Sequence, residues 1–238
     1  MPIDGSKVGM HPRVSALMKG IFNKRPPKPK YNFIWDVDQV LNYLEVLDSR
    51  NLGLMTHKLV MLLALCSGSR ASEIWQLDTS YMVRVNSFYS FTLPNPTKTQ
   101  KPGDKHLKLK FQSFEDNKAL CPVKALDRYL EMTKPLRGDE SKLLIATIKP
   151  HDKVATSTVS RWLKEVIHNA GIDSKVFQGH STRSASTSKA SLNGFSVEDI
   201  MKSAHWSNKS TFQKFYNNSG SVIKDSFQGA ILKSFKQR

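Results

Sequence analysis

Apolar residues recur along this chain with helical spacing in some stretches and with strict alternation in others. Val37, Val40, Leu41, Leu44 and Leu47 fall three and four apart, which predicts an amphipathic helix over Asp36–Asp48. His57–Cys66 is almost wholly apolar after its first turn and predicts a buried helix, broken by Ser67-Gly68-Ser69. From Tyr81 to Leu93 β-branched and aromatic residues dominate, which predicts a strand. Pro94–Asp104 holds three prolines, a glycine and three Thr/Asn residues and predicts a turn. His106–Phe111 alternates Leu107, Leu109 and Phe111 with Lys108 and Lys110, the pattern of a half-buried strand. Together these make an antiparallel hairpin, or part of a small sheet, with lysines at its tip.

The remaining pattern is mostly helical. Pro122–Thr133 begins with proline in a first-turn position. Leu143–Ala146 reads as a short strand. Thr156–Ala170 is amphipathic and Gly171 stops it. Further helices are expected over Thr182–Leu192, Val197–Ser203, Ser210–Tyr216 and Val222–Phe235. No internal repeat is visible. The fold class is α+β, mainly α-helical, with a small antiparallel sheet or hairpin inserted early.

Residues 1–30 carry seven Lys+Arg against one Asp and close on Lys24-Arg25-Pro26-Pro27-Lys28-Pro29-Lys30. Three prolines among those seven residues favour an extended linker. His11–Phe22 can form a short helix that packs on a neighbour. This stretch reads as the tail of an upstream DNA-binding module plus a basic linker, and the compact domain is expected to begin at Tyr31. The basic cluster suits either a nuclear localisation signal or a linker that touches phosphates.

Charge narrows the partners. The chain of 238 residues has 36 Lys+Arg and 20 Asp+Glu, a net charge of +16 and a pI near 9.8. Such an excess creates a field that attracts polyanions, and nucleic acid is the expected partner. The longest apolar run, Leu59–Cys66, is far too short to cross a bilayer, so a soluble, intracellular protein with no membrane partner is expected. Cys66 and Cys121 lack the spacing and the histidines of a structural zinc site. They read as unpaired thiols in a reducing compartment, with no metal.

Four separated segments carry reactive groups. They are Ser69-Arg70-Ala71-Ser72-Glu73-Ile74, then Pro96-Thr97-Lys98-Thr99 at the hairpin tip, then Gly179-His180-Ser181-Thr182-Arg183, and last Ala204-His205-Trp206 followed by Tyr216. Each alone is common among proteins. Their order is not. An arginine with a glutamate three residues on, a hairpin lysine, His-x-x-Arg, a His or Trp and then a tyrosine resembles the tyrosine recombinase and phage integrase family over about residues 31–220. Within it, His11-Pro12-Arg13-Val14-Ser15, Arg25-Pro26-Pro27 and Ser210-Thr211-Phe212-Gln213-Lys214-Phe215-Tyr216 look like recombinases of DIRS-type retrotransposons.

That resemblance implies a tyrosine-recombinase catalytic fold over 31–220 and an exchange helix over 221–238. The helix would dock on a neighbouring protomer or stay in cis. It implies that Arg70 and Arg183 clamp a scissile phosphate. Guanidinium forks suit phosphate oxygens and keep their charge at any working pH. Lys98 matches the lysine that protonates the leaving 5′ oxygen, with Lys101 as the alternate. His180 matches the first family histidine, and Tyr216 the nucleophile, whose free pKa is about 10. Glu73 matches a supporting acidic residue. The family has Gly-His or Gly-Trp about nine residues before its tyrosine. Here Trp206 fits the Trp slot, ten residues before Tyr216, with His205 in place of the glycine and as the alternate for the role.

The implied activity is DNA strand cleavage and rejoining through a 3′-phosphotyrosine, in site-specific recombination or integration of a mobile element. The partners are double-stranded DNA and other copies of the chain, a dimer on a site and a tetramer at synapsis. No cofactor, metal or ATP enters, and the expected compartment is the nucleus. A DNA-binding protein that has lost or abandoned cleavage, and a type IB topoisomerase-like enzyme, are the alternatives.

Overall fold

The computed structural model describes residues 2–3, 5–26, 34–98, 100–205, 229 and 231. The chain divides into two compact units, Met1–Phe33 and Ile34–Arg238. In the first, strands β1 (Pro2–Ile3) and β2 (Ser6–Lys7) pair antiparallel around Gly5, whose φ of 75° suits glycine. Helix α1 (Pro12–Lys24) follows a 3-10 turn at Val8–Met10. Its N-cap His11 accepts a hydrogen bond from the Arg13 N–H through its ring (3.3 Å). The Leu17, Met18, Ile21 and Phe22 side chains of α1 are exposed.

The second unit is built around one helix. Helix α2 (Val37–Val46) is capped by Asp36, whose side chain accepts from the Asp38 N–H (2.9 Å). Helix α3 (Leu52–Ser67) starts a turn earlier than the apolar run suggests, because Asn51 caps it by accepting from the Leu54 N–H (3.0 Å). From Lys58 to Ser67 every residue of α3 is buried. A helix apolar on all sides must be surrounded, and α5 (Pro122–Thr133), α6 (Thr156–Asn169) and α7 (Ser181–Leu192) pack against it. Two short helices complete the set: α4 (Ala71–Trp75), which follows α3 directly, and α8 (Val197–Ser203). Gly171, at φ 82°, ends α6 as its position predicts.

The sheet has three antiparallel strands in the order β3 (Met82–Val85), β4 (Phe88–Thr92), β5 (Lys108–Gln112). The expected single strand Tyr81–Leu93 is therefore corrected to a hairpin. The chain reverses at Asn86-Ser87, and Thr79–Tyr81 is a 3-10 turn. Residues of high β-propensity fill both strands, and β3 is largely exposed, so neither propensity nor burial pattern marks the reversal. Strand β5 behaves as its alternation predicts, with Leu109 and Phe111 buried and Lys108, Lys110 and Gln112 outward. Opposite them β4 buries Tyr89 and Phe91, in the register Tyr89↔Phe111 and Phe91↔Leu109. The Phe91 and Phe111 rings meet edge to face, with centroids 6.1 Å apart.

Leu143–Ala146 is not a strand. Leu143, Leu144 and Ile145 are buried, but the segment makes only an isolated bridge, Ile145↔Lys153, and the Ile145 N–H donates to the Tyr129 hydroxyl (3.1 Å). The expected helices at Ser210–Tyr216 and Val222–Phe235 lie outside the described residues, except that Gly229 and Ile231 are helical and Ile231 is buried. Phe111→Ala should cost about 3–5 kcal/mol, the usual range for emptying a buried aromatic site. A urea melt should show the midpoint falling with an unchanged slope.

Candidate active site

The site grows out of the end of α3. Ser67 Oγ donates back to the Leu63 carbonyl (2.6 Å), and Gly68 then takes a left-handed conformation, φ 59° and ψ 24°. That turn delivers Arg70 to the N-cap of α4. The Arg70 N–H donates to Glu73 Oε2 (2.8 Å), so the glutamate reaches back over its own helix start. Arg70 Nη1 donates to Glu73 Oε1 (2.5 Å).

A second guanidinium meets the same carboxylate. Arg183, in the first turn of α7, places Nη1 3.7 Å from Glu73 Oε2. Glu73 is 1% exposed and Arg183 6%. One buried acid thus draws together two arginines more than a hundred residues apart in sequence. Arg183 also ties two chain segments to each other. Its Nη1 donates to the Gly68 carbonyl (2.7 Å) and its Nη2 to the Ala204 carbonyl (2.6 Å), joining the end of α3 to the end of α8. The Arg70 side chain is 29% exposed against 7% for Arg183. Arg70 is therefore the more open of the two guanidinia, and Arg183 the more deeply buried.

His205 completes the cluster. Its backbone sits at φ 54°, in the left-handed region where glycine is free and other residues are strained. The sequence places it where the related pattern has glycine, and the conformation gives the physical reason for a glycine there. Burial pushes the His205 imidazole below its ordinary range. Glu73 opposes that shift, while Arg183 and Arg70 add to it. A cleft of about 630 Å³ opens beside His205, lined among others by Lys108 and Lys110 of β5 and Lys202 of α8.

The other expected residues are placed as follows. His180 is the N-cap residue of α7, exposed, and three positions before Arg183. That spacing puts both on one side of the helix start. Gly179 precedes it, and a Cβ there would lie 2.6 Å from the Ser160 carbonyl oxygen of α6, so the approach of the α7 leader to α6 admits only glycine. Lys98 and Lys101 are exposed on the long loop between β4 and β5. The loop base is fixed to α4, because the Asn95 N–H donates to Gln76 Oε1 (3.0 Å) three residues beyond Glu73. Within it Gln100 Oε1 accepts from the Thr97 N–H (2.6 Å). Trp206 and Tyr216 lie outside the described residues. Among the described residues no group of three or more His, Cys, Asp or Glu is placed to hold a metal ion. No helix among them is long and apolar enough to cross a membrane.

Arg70, Arg183 and His205 thus gather around one buried carboxylate, with His180 exposed three positions before Arg183. Paired guanidinia suit the oxygens of a phosphodiester. The family model described as the phage integrase family matches residues 35–221. The chain belongs to that family. XerA recombinase has a TM-score of 0.58 to it at 19% identity, over 91% of this chain and 69% of that one. The XerH site-specific recombinase bound to palindromic difH substrate, a post-cleavage complex, gives a TM-score of 0.60 at 13% identity, over 76% of this chain and 48% of that one. The lambda integrase(75–356) dimer bound to a COC′ core site gives 0.54 at 16%, over 89% and 74%. At these identities the likeness is one of fold, a mainly helical domain with a small three-stranded antiparallel sheet. The chain spans 48% and 63% of the two XerH chains it matches. No curated protein matches it in sequence.

Sequence reading placed the helix break at Ser67-Gly68-Ser69 but missed Gln76 and Trp35, which act through distant hydrogen bonds. Three outcomes test the site. Glu73→Ala should cost about 3–5 kcal/mol, since it strands the buried Arg183 charge. Gly179→Ala should cost about 1–3 kcal/mol through overpacking against Ser160, read as a lower melting temperature. His205, with its pKa depressed by burial, binds fewer protons folded than unfolded, so the stability it contributes is present above its unfolded pKa, about 6.5. That contribution is lost as pH falls below this value. His57, depressed first by burial as well, acts in the same direction. His205→Gln should therefore flatten part of the stability loss between pH 7 and pH 5 in denaturant melts, and leave the part due to His57.

Proposed function

We propose that this chain cleaves and rejoins double-stranded DNA through a 3′-phosphotyrosine intermediate, in site-specific recombination or integration of a mobile element. The observation that carries the reading is the joint hold of Glu73 on Arg70 and Arg183. It fixes two guanidinia at one place, where they can neutralise the charge that builds on a pentacoordinate phosphorus. Family membership, the neighbouring fold of recombinases and the net charge of +16 support the same reading.

The chemistry follows from the residue types. The Tyr216 phenol gives up its proton and its oxygen bonds to phosphorus, while the bond from phosphorus to the 5′ oxygen breaks. His180 is the group that receives or steers the phenolic proton. Lys98, with Lys101 as alternate, gives a proton to the leaving 5′ oxygen. One phosphodiester is exchanged for one phosphotyrosyl ester, so the bond energy is kept. Attack by another strand's 5′ hydroxyl reverses the step, with no call on a metal or ATP. His205 or Trp206 supplies a further contact to the phosphate region. A dimer on one site, a tetramer at synapsis and action in the nucleus belong to this proposal.

One observation favours a second reading. Both terminal nitrogens of Arg183 already serve backbone carbonyls, as they would in a protein that binds DNA without cutting it. Each such nitrogen carries two N–H groups, so a carbonyl contact uses one of the two.

A nicked suicide duplex, drawn from the ends of the element or selected from random DNA, separates the two. An adduct resistant to detergent should form with the native chain and vanish with Tyr216→Phe. Arg70→Ala should slow its formation by about 10²–10³, the range for removing one preorganised charge. A duplex with sulfur as the 5′ leaving atom needs no proton on departure, so it should restore cleavage to Lys98→Ala and not to Arg70→Ala. Tight DNA binding with no adduct from the native chain on any selected site would leave only the binding protein.

A further inference from the structure

Helix α7 is buried by residues that offer little apolar surface. Its buried positions are Ser181, Thr182, Arg183, Ala185, Ser186, Thr187 and Ala190. Two alanines cannot hold a helix in register by area alone. Polar contacts take over that task. Ser186 Oγ donates to the Leu65 carbonyl of α3 (2.6 Å), and Lys189 Nζ donates to Asp38 Oδ2 (2.8 Å) at the start of α2. At the other end of α7, the Trp35 indole N–H donates to Ser181 Oγ (2.8 Å), and that hydroxyl donates in turn to the Gln178 carbonyl (2.7 Å). Trp35 is 5% exposed and Ser181 fully buried.

The last of these contacts bears on the site. Ser181 lies between His180 and Arg183, within the one turn that carries both. An indole N–H is a donor only and points one way from a rigid ring, so it sets the position of the group that accepts from it. Its acceptor is the hydroxyl that closes the 178–181 turn. We infer that Trp35 is a positioning residue for the His180–Arg183 turn, and that its indole N–H holds that turn where both side chains face the phosphate site. Lys189 and Asp38 fix the far end of the same helix, so the segment 35–38 holds α7 at both ends.

The inference rests on the cleavage reading for its consequence and on geometry for its substance, and the experiment separates them. Trp35→Phe keeps a ring and removes the donor. Ser181→Ala removes the acceptor and serves as the second variant should the first unfold. Amide hydrogen exchange in the native chain and both variants reads the turn directly. Exchange at 181–184 should quicken at least tenfold in each variant, with the α5 amides unchanged. In the suicide-duplex assay, cleavage by each variant should fall tenfold or more while DNA affinity stays within twofold. The double variant should be no slower than Ser181→Ala alone, because that variant already removes the indole–hydroxyl bond together with the bond to Gln178. Unchanged exchange at 181–184 would overturn the inference, whether or not the protein cuts DNA. Quicker exchange with an unchanged cleavage rate would overturn it too, as would additive losses in the double variant. A native chain that makes no adduct would remove the cleavage reading alone, and the exchange data would still decide what Trp35 does.

Discussion

The arrangement of this domain depends on one buried carboxylate. Glu73 is 1% exposed, and an ionised acid at such a site is costly unless its partners are well placed. It has three: the Arg70 N–H, the Arg70 guanidinium and the Arg183 guanidinium. The two cations would repel each other without it. With it they are held close in a region of low dielectric, where each is worth more to an anionic ligand than it would be in water. The turn at Gly68, the short helix α4 and the close approach permitted by Gly179 all serve to bring these groups to one point.

Two kinds of packing meet there. Helix α3 is held by apolar area on every side and forms the rigid part of the unit. Helix α7, beside it, is held by named hydrogen bonds to Leu65, Gly68, Ala204 and the 35–38 segment. Apolar contact tolerates small slips, because it has no direction. Hydrogen bonds lose most of their strength over a few tenths of an ångström and a few tens of degrees. A helix that must present Arg183 at a fixed point is well served by the second kind, provided every donor has its acceptor.

The legibility of the fold follows this division. Helices with an apolar period and a local end signal stand in the sequence: Pro122–Thr133 and Val197–Ser203 are found with the bounds expected. The alternation of β5 is equally plain. The β3–β4 reversal is not, because Asn86-Ser87 lacks a glycine and β-branched or aromatic residues stand on both sides of it. At the site, the order of Arg70, Glu73, His180 and Arg183 along the chain indicated the chemistry, and the structure brings the first, second and fourth into contact. The role of Glu73 as the common partner of both arginines could not be read from spacing, since only folding sets the distance from residue 73 to residue 183. Trp35 was invisible for the same reason. A tryptophan before an amphipathic helix reads as core, and its hydrogen-bond partner lies 146 residues away.

The unequal exposure of the two arginines has a physical use. A guanidinium spent on two carbonyls and a carboxylate loses its freedom on folding, not on binding, so a phosphate that meets Arg183 finds it already ordered. Arg70, more open, keeps one strong partner in Glu73 and can turn toward a ligand while its backbone stays fixed. His205 adds a third constraint. Its left-handed backbone is what turns the chain at the carbonyl of Ala204, and that carbonyl is one of the two that pin Arg183. The strain at residue 205 is therefore coupled to the order of the arginine. A glycine at that position would ease the turn. The histidine accepts strain of about 1–3 kcal/mol and in exchange puts an imidazole, its pKa lowered by burial, beside the two guanidinia.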